Sequence, residues 1–506
     1  MTNLTARLAK GAGFSFVGQI FSTVLKYGCQ IALAWFLGVE AFGVYTLGLA
    51  IYQLGELFAR VGLEIGAVRY VALYQDPKDR SKLKGILLQA LGLPLLVGLV
   101  LGSVLYLGAD AIAQTIFNEP ELVSVLRLFA IAIPLGASAT AVAFASTGFQ
   151  TTKYRVYVWD VLLPLTNLVF ICLFGALNLG LWGTALAWLL ASITCLLAAL
   201  CSIYLLFPDL VNQDLRPVFE TRKLLSFSLP LSFGTLLWLI LIWTDILMLG
   251  YFRPASEVGI YRAASQTAFL MILFNRSLIS MFSPMIAKLY GQGKLQEMKR
   301  LFQTGTRWNF CLTLPIFLVL AATSQQILQI FGADFSAGWL LLIILAAGQL
   351  TRAGAGGLAM PMLSMSGHQY LKLYGDCLLA GINIALNLFL IPRWGGMGAA
   401  LATGLSMAGV NFVQLAQVQQ IFKLKTYSYS YYKPLLAGAI AFTLGYFGQT
   451  WLASWHFMLT ALVTALIITL TYGGLMLALG LEAEDSKIIQ KVVGQFRQLL
   501  PKSKAG

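Results

Sequence analysis

The chain has 506 residues, of which 58% are hydrophobic and only 11% charged. A soluble globular domain carries about 25% charged residues, so this composition excludes that class and predicts a polytopic helical membrane protein. The net charge of +14 does not point to nucleic acid, because the basic residues fall in short loops between apolar runs and not on one soluble face.

Taken in order, the apolar runs predict an all-α protein of about fourteen membrane spans. They lie near 12–37, 43–68, 84–108, 121–145, 156–178, 181–206, 224–250, 257–283, 303–323, 337–360, 371–391, 396–421, 433–451 and 457–480. The first run is too long for a signal-peptide core and is expected to remain as span 1. Loop charge alternates along the whole chain. One set of connections holds Lys78, Arg80, Lys82, Arg222, Lys223, Lys294 and Lys299, among others, and the other holds mainly acids such as Glu40, Asp110 and Glu119. The positive-inside rule then predicts both termini in the cytoplasm; the chain is expected in the inner membrane of a bacterial cell. The six cysteines lie in apolar segments without metal-like spacing, and His368 and His456 are isolated, so no metal site is expected.

Span 2 departs from the apolar pattern. Glu56, Arg60 and Glu64 follow one another at i, i+4 and i+8, which places three charges on one face of a single helix. A charge at bilayer depth costs about 2.5–3.5 kcal/mol, so a functional cavity or an internal ion-pair cluster is expected. The stretch has an echo 216 residues later. Gly43-Val44-Tyr45 corresponds to Gly259-Ile260-Tyr261, and Arg60 to Arg276 (276 − 60 = 216). Asp160 and Asn167 map onto Asp376 and Asn383 with the same shift, and GLWGTALA (180–187) onto GGMGAALA (395–402). Spans 1–6 and 7–12 therefore read as two copies of one six-helix lobe. An even number of spans relates such copies by a pseudo-two-fold axis along the membrane normal. The expected units are 1–210, 211–425, an appended pair of spans in 426–481, and a tail, 482–506. In the tail, Ile488, Val492, Phe496 and Leu499 predict an amphipathic helix on the cytoplasmic leaflet. Tyr427, Tyr429, Tyr431 and Tyr432 read as an interfacial belt.

Other spans also carry inward polar groups. Span 1 has Ser15, Gln19, Ser22, Lys26 and Gln30 in one stripe. Span 8 has Arg262, Gln266, Arg276, Ser280 and Ser283 on approximately one face, and span 10 has Gln349 and Arg352 ahead of a glycine-rich, weak or broken helix end. Lys26, Arg60, Arg276 and Arg352 outweigh Glu56, Glu64 and Asp245, and a cationic cavity favours an anion such as phosphate. The bland readings stand beside these. Glu56–Arg60–Glu64 as a self-neutralised structural cluster, Lys26 snorkelling, Arg262 pairing with Glu257, and Asp160 pairing with Arg155 or Lys153 each account for a charge without a substrate.

The opening LAKGAGFSFVGQI…LAWFLGVEAFGVYTLGLAIYQL…GLEIGAVRYVALY resembles the polysaccharide biosynthesis transporters. These are the oligosaccharide flippases of the multidrug/oligosaccharidyl-lipid/polysaccharide exporter superfamily. WTDILMLGYFRPASEVGIYRAASQ is similar to the same family's span 7 aspartate and the glycine–tyrosine pair opening span 8. The resemblance implies two lobes in a V, alternating access, and transfer of a polyprenyl-pyrophosphate-linked oligosaccharide from the cytoplasmic to the outer leaflet. In the related lipid II flippases, basic residues of spans 1, 2 and 8 line the cavity. That implies Lys26, Arg60 and Arg276 as substrate-binding residues, with Arg352 and Gln19 added from the polar stripes. Glu56, Glu64 and Asp245 are the candidates for ion coupling or structural ion pairs. No cofactor is implied beyond a proton or sodium ion, and membrane lipids and a polysaccharide polymerase are the candidate partners. The alternatives are a multidrug/cation antiporter on the same fold, which favours an acidic cavity, and a membrane polymerase or ligase, which needs catalytic residues on large outer loops that this chain lacks.

Overall fold

The computed structural model describes the backbone of residues 2–424, 431–452 and 455–480, and side chains from Gly18 onward apart from positions 238, 273, 274 and 277. The amphipathic tail predicted for 482–506, and Tyr427 and Tyr429 of the belt, lie outside the described residues. Among the described residues the regular structure is helical and no strand occurs. In the first half the elements are α1 (Thr2–Arg60), α2 (Leu63–Leu73), α3 (Arg80–Ala111), α4 (Leu122–Ala145), α5 (Lys153–Ala176) and α6 (Gly180–Leu206). The second half comprises α7 (Thr221–Phe252), α8 (Ala255–Phe269), α9 (Ile272–Gly291), α10 (Leu295–Ala322), α11 (Ser324–Gln329), α12 (Trp339–Thr351), α13 (Ala359–Met365) and α14 (Gln369–Phe422). Two further helices follow, α15 (Tyr432–Trp451) and α16 (Phe457–Ala478).

Length and hydropathy select nine membrane-crossing helices among the described residues, or ten when the bent pair Thr221–Leu237 and Leu239–Phe252 counts as one span. Two of the nine, Gly18–Leu73 and Gln369–Phe422, run for 56 and 54 residues. At 1.5 Å per residue each is far longer than the ~30 Å hydrocarbon core, so each must turn. The turns are at Gly38 (φ 72°, ψ −179°) and Gly395 (φ 54°, ψ −133°), and each run holds two of the predicted spans. Glu257 fixes the second turn, since its carboxylate accepts from Gly396 N at 2.9 Å. That is where the residue is spent, and the expected Glu257–Arg262 pair does not form.

Span 2 is not one helix. It breaks between Arg60 and Leu63, with Val61 at φ 54° and Gly62 at φ 74°. A β-branched residue in the left-handed region is strained, and it persists only where packing holds it. The packing here comes from α7. A Cβ on Gly62 would lie 2.4 Å from the Ser228 carbonyl, and one on Gly66 1.8 Å from Ser228 Oγ. Arg69 caps the same contact, with its guanidinium 4.1 Å from the Phe227 ring centre.

The halves meet again at the opposite end of the molecule, away from the basic loops. A Cβ on Gly43 would lie 1.8 Å from the Ala255 carbonyl, and one on Gly259 2.3 Å from the Val39 carbonyl. Both partners obey the repeat: 259 − 43 = 216 and 255 − 39 = 216. The contact is thus reciprocal, as a two-fold axis passing between α1 and α8 requires. Around it Cys29, Tyr45, Phe129, Tyr261 and Phe335 belong to one buried cluster drawn from both halves. The last two helices pack on each other, with Gly445 against Ile468, and on α10, where Tyr472 donates to the Cys311 carbonyl at 3.1 Å.

Candidate functional site: charged cavities around a two-fold contact

A cavity of about 380 Å³ lies between the halves. Lys26, Gln30, Gln53 and Glu56 of α1 face Trp243 of α7 and Arg262 of α8 across it. Lys26 is exposed to this space. Arg262 is buried, with its guanidinium 4.6 Å from the Trp243 ring centre. The Gln266 amide, turned to accept, takes 2.8 and 3.1 Å bonds from Arg262. Cation–π stacking and a neutral acceptor hold the arginine without neutralising it. Asp160, behind Lys26 on α5, pairs with Arg155 at 3.5 Å.

The three charges of the second span meet despite the break in the helix. Arg60 Nε lies 3.6 Å from Glu56 Oε1, and Arg60 Nη1 lies 3.9 Å from Glu64 Oε1. Thr140 of α4 donates to Glu56 at 2.9 Å. All three charged residues are buried, and neither Glu64 oxygen has a hydrogen-bond partner among the described residues. Regular i, i+4 spacing was expected to align Arg60 with Glu64. The left-handed turn at Val61 and Gly62 instead brings Glu64 back over Arg60 from a second helix, which accounts for the long separations. Glu56 reaches the cavity; Arg60 is not among its lining residues.

A second cavity, about 260 Å³, is enclosed by the second half alone. Arg352, Asn411 and the Lys372–Asp376 pair (3.3 Å) line it. The glycine-rich stretch is a π-helical turn over Arg352–Gly356, closed by Gly357 N donating to the Arg352 carbonyl. A Cβ on Gly356 would fall 2.1 Å from Asn411 Oδ1, so only glycine admits this approach. The expectation of a weak helix end after Arg352 is met by this turn and the restart at Ala359.

Asp245, a candidate with Glu56 and Glu64 for ion coupling or a structural ion pair, forms no ion pair among the described residues. It is buried at 3% exposure. Tyr261 and Asn387 donate to it, both at 2.6 Å, and Thr403 donates as well. Asn387 and Thr403 are each bonded in turn to Asn383, both at 3.1 Å. Polar uncharged residues carry no motif of their own. The signal available was Asn383 and Asn387 at i, i+4 on one face of an apolar helix.

Arg276 is exposed and is not among the residues that line either cavity. Gln19 is exposed and lines neither cavity, and Gln349 is buried against Met407. Among the described residues, Lys26 lines one cavity and Arg352 lines the other.

A helical membrane protein of two like halves, joined at a two-fold contact and flanked by charged cavities, has the architecture of a transporter. The chain belongs to the polysaccharide biosynthesis protein family, whose description matches residues 8–290. A MatE description matches residues 230–378. The chain is 28% identical over 191 residues to a probable low-salt glycan biosynthesis flippase, Agl15, of Haloferax volcanii, covering 37% of this chain and 40% of that one. Its match to this relative thus spans well under half the relative's length. Stage V sporulation protein B of Bacillus subtilis is 22% identical over 467 residues, 85% of this chain and 88% of its own. The structure of the lipid II flippase MurJ in an inward closed conformation superposes with a TM-score of 0.69 at 15% identity, over 95% of this chain and 99% of that one, and shows a shared fold.

Proposed function

We propose that this protein is a flippase that carries a polyprenyl-pyrophosphate-linked oligosaccharide from the cytoplasmic to the outer leaflet by alternating access. One observation carries the reading: the sign of the charge at the cavities. Lys26, Arg262, Arg276 and Arg352 form no ion pair among the described residues. Every acid near them has a partner of its own, whether an arginine, a lysine or a set of neutral donors. A cationic surplus holds an anionic head group, and guanidinium forks fit phosphate oxygens. Agl15 is named a probable glycan biosynthesis flippase, which agrees with this cargo. The long apolar tail stays in the bilayer while the lobes rock about the Gly43–Gly259 contact. Asp245 is the place for a coupling proton or sodium ion, because its charge is met only by neutral groups. The test is transbilayer movement of a defined lipid-linked oligosaccharide in reconstituted vesicles. Lys26→Gln and Arg276→Gln are each expected to slow it severely. Unchanged rates in both, in well-folded protein, would sink the proposal.

The second reading is a cation-coupled multidrug antiporter, favoured by the MatE match and by the uncompensated carboxylate of Asp245. Drug efflux driven by a sodium or proton gradient, with no movement of the lipid-linked sugar, would select it.

A further inference from the structure

A separate pocket lies at the end of the molecule away from the basic loops, where α11 meets the turn between α15 and α16. Its volume is about 420 Å³. Gln326 and Gln329 face Tyr446 and Gln449, and Trp455 and Phe457 complete the wall; none of the lining residues is charged. Gln326 Oε1 and Gln449 Oε1, from two different elements that line the pocket, are both buried with no hydrogen-bond partner among the described residues. Two unpaired amide oxygens at the wall of one pocket call for donors. An anion would meet them with like partial charge, and a cation would find no counter-charge. A neutral sugar ring supplies hydroxyl donors for the amides and an apolar C–H face for the aromatic rings.

The pocket is also mechanically placed. Gln329 runs directly into the segment that holds α1: Trp35 Nε1 donates to the Ile330 carbonyl at 2.5 Å, and Phe331 and Phe335 make edge contacts with Tyr27 and Phe42. We infer that this pocket is a binding site for a neutral sugar residue, set on the outer face beside the closure between the halves. Its assignment to the outer face and to a glycan rests on the flippase reading above. The site engages sugar of the delivered head group once the closure has opened, so the site and the opening share one element.

The test uses the full chain in detergent-free nanodiscs, with maltose as the probe, read by saturation-transfer NMR. Saturable binding is expected, weakened at least tenfold by Gln449→Leu and by Trp455→Ala, with thermal unfolding unchanged. Trp451→Phe, at a tryptophan that is 88% exposed and outside the pocket, is the control and is expected to bind as the parent does. Absence of saturable binding, or binding equal in both pocket variants and the parent, overturns the proposal. Flipping of a lipid-linked sugar is measured on the same samples. Flipping without maltose binding fails this site and leaves the flippase reading standing, whereas maltose binding without flipping does the reverse.

Discussion

The two halves place their buried acids differently. Applying the repeat to Asp245 gives Cys29 (245 − 216 = 29), and applying it to Tyr261, Asn383 and Asn387 gives Tyr45, Asn167 and Ile171. In the second half these positions form a closed set of bonds around a carboxylate. The first half keeps the tyrosine and one asparagine but has no acid between them. Cys29 donates instead to the Pro164 carbonyl at 3.3 Å, and Tyr45 OH and Asn167 Oδ1 are left buried without partners. The first half carries acids further along its second span, at Glu56 and Glu64, where the second half has Ile272 and Ser280. Among the charged residues of spans 2 and 8, only the arginine, Arg60 or Arg276, is common to both. The two halves thus treat these acids differently: one acid site is met by a cation, the other by neutral donors alone.

That contrast can be broken experimentally. The largest effect on transport is expected from Asp245→Asn, which keeps the shape and removes the charge. If the neutral cage exists to hold a coupling proton or ion, transport falls by more than about tenfold, or about 1.4 kcal/mol, with the protein still folded. Activity equal to the parent would make Asp245 as structural as Cys29. Next is Arg60→Ala. It leaves two buried carboxylates without their cation and is expected to cost about 3–5 kcal/mol in unfolding measurements in micelles. Glu56→Gln combined with Arg60→Gln and Glu64→Gln is expected to recover much of that loss.

A tyrosine pair sharpens the comparison further. Tyr261→Phe removes a hydrogen bond to a charged group and is expected to destabilise by about 1.5–3 kcal/mol, whereas Tyr45→Phe, whose hydroxyl has no partner, is expected to be neutral or slightly stabilising. The smallest effect lies outside the membrane, where the halves also meet. Glu220 accepts from Lys223 at 2.5 Å and from Tyr74, and these two partners hold its carboxyl below the usual carboxylate range. The Tyr74 hydroxyl is pushed up to about 12 by burial and by the Glu220 carboxylate, so it remains a donor. A lowered carboxyl stabilises fully above its ordinary titration range and loses that contribution as pH falls through the lowered value. Hydrogen-exchange protection around 218–224, corrected for the intrinsic pH dependence of exchange, is therefore expected to fall modestly in acid, and Glu220→Gln to remove that fall.

Much of this was legible from residue spacing. The all-helical class follows from composition, and the duplication from a shift of 216 shared by Gly43, Tyr45 and Arg60. The reciprocal contact of Gly43 and Gly259 is the physical form of that shift. The break at Val61 was not legible, because a valine and one glycine within an apolar run read as helix. The cause is Ser228, which packs there from far along the chain. Lys26 and Arg352 stood out as charges in apolar spans, but their separation into two cavities depends on how α7 passes between the halves. The cage of Asp245 escaped notice because its members are neutral and come from three different predicted spans.

The contact of Gly43 with Gly259 has a consequence for inheritance. An interface in which a residue meets its own equivalent is the geometry of a homodimer, here written into one polypeptide. A side chain gained on either glycine must be accommodated by the backbone of the other half, with a Cβ at 1.8 Å or 2.3 Å from a carbonyl oxygen. The two halves differ at the equivalent positions Cys29 and Asp245. At the axis a side chain gained by either half meets the backbone of the other, and both copies hold glycine.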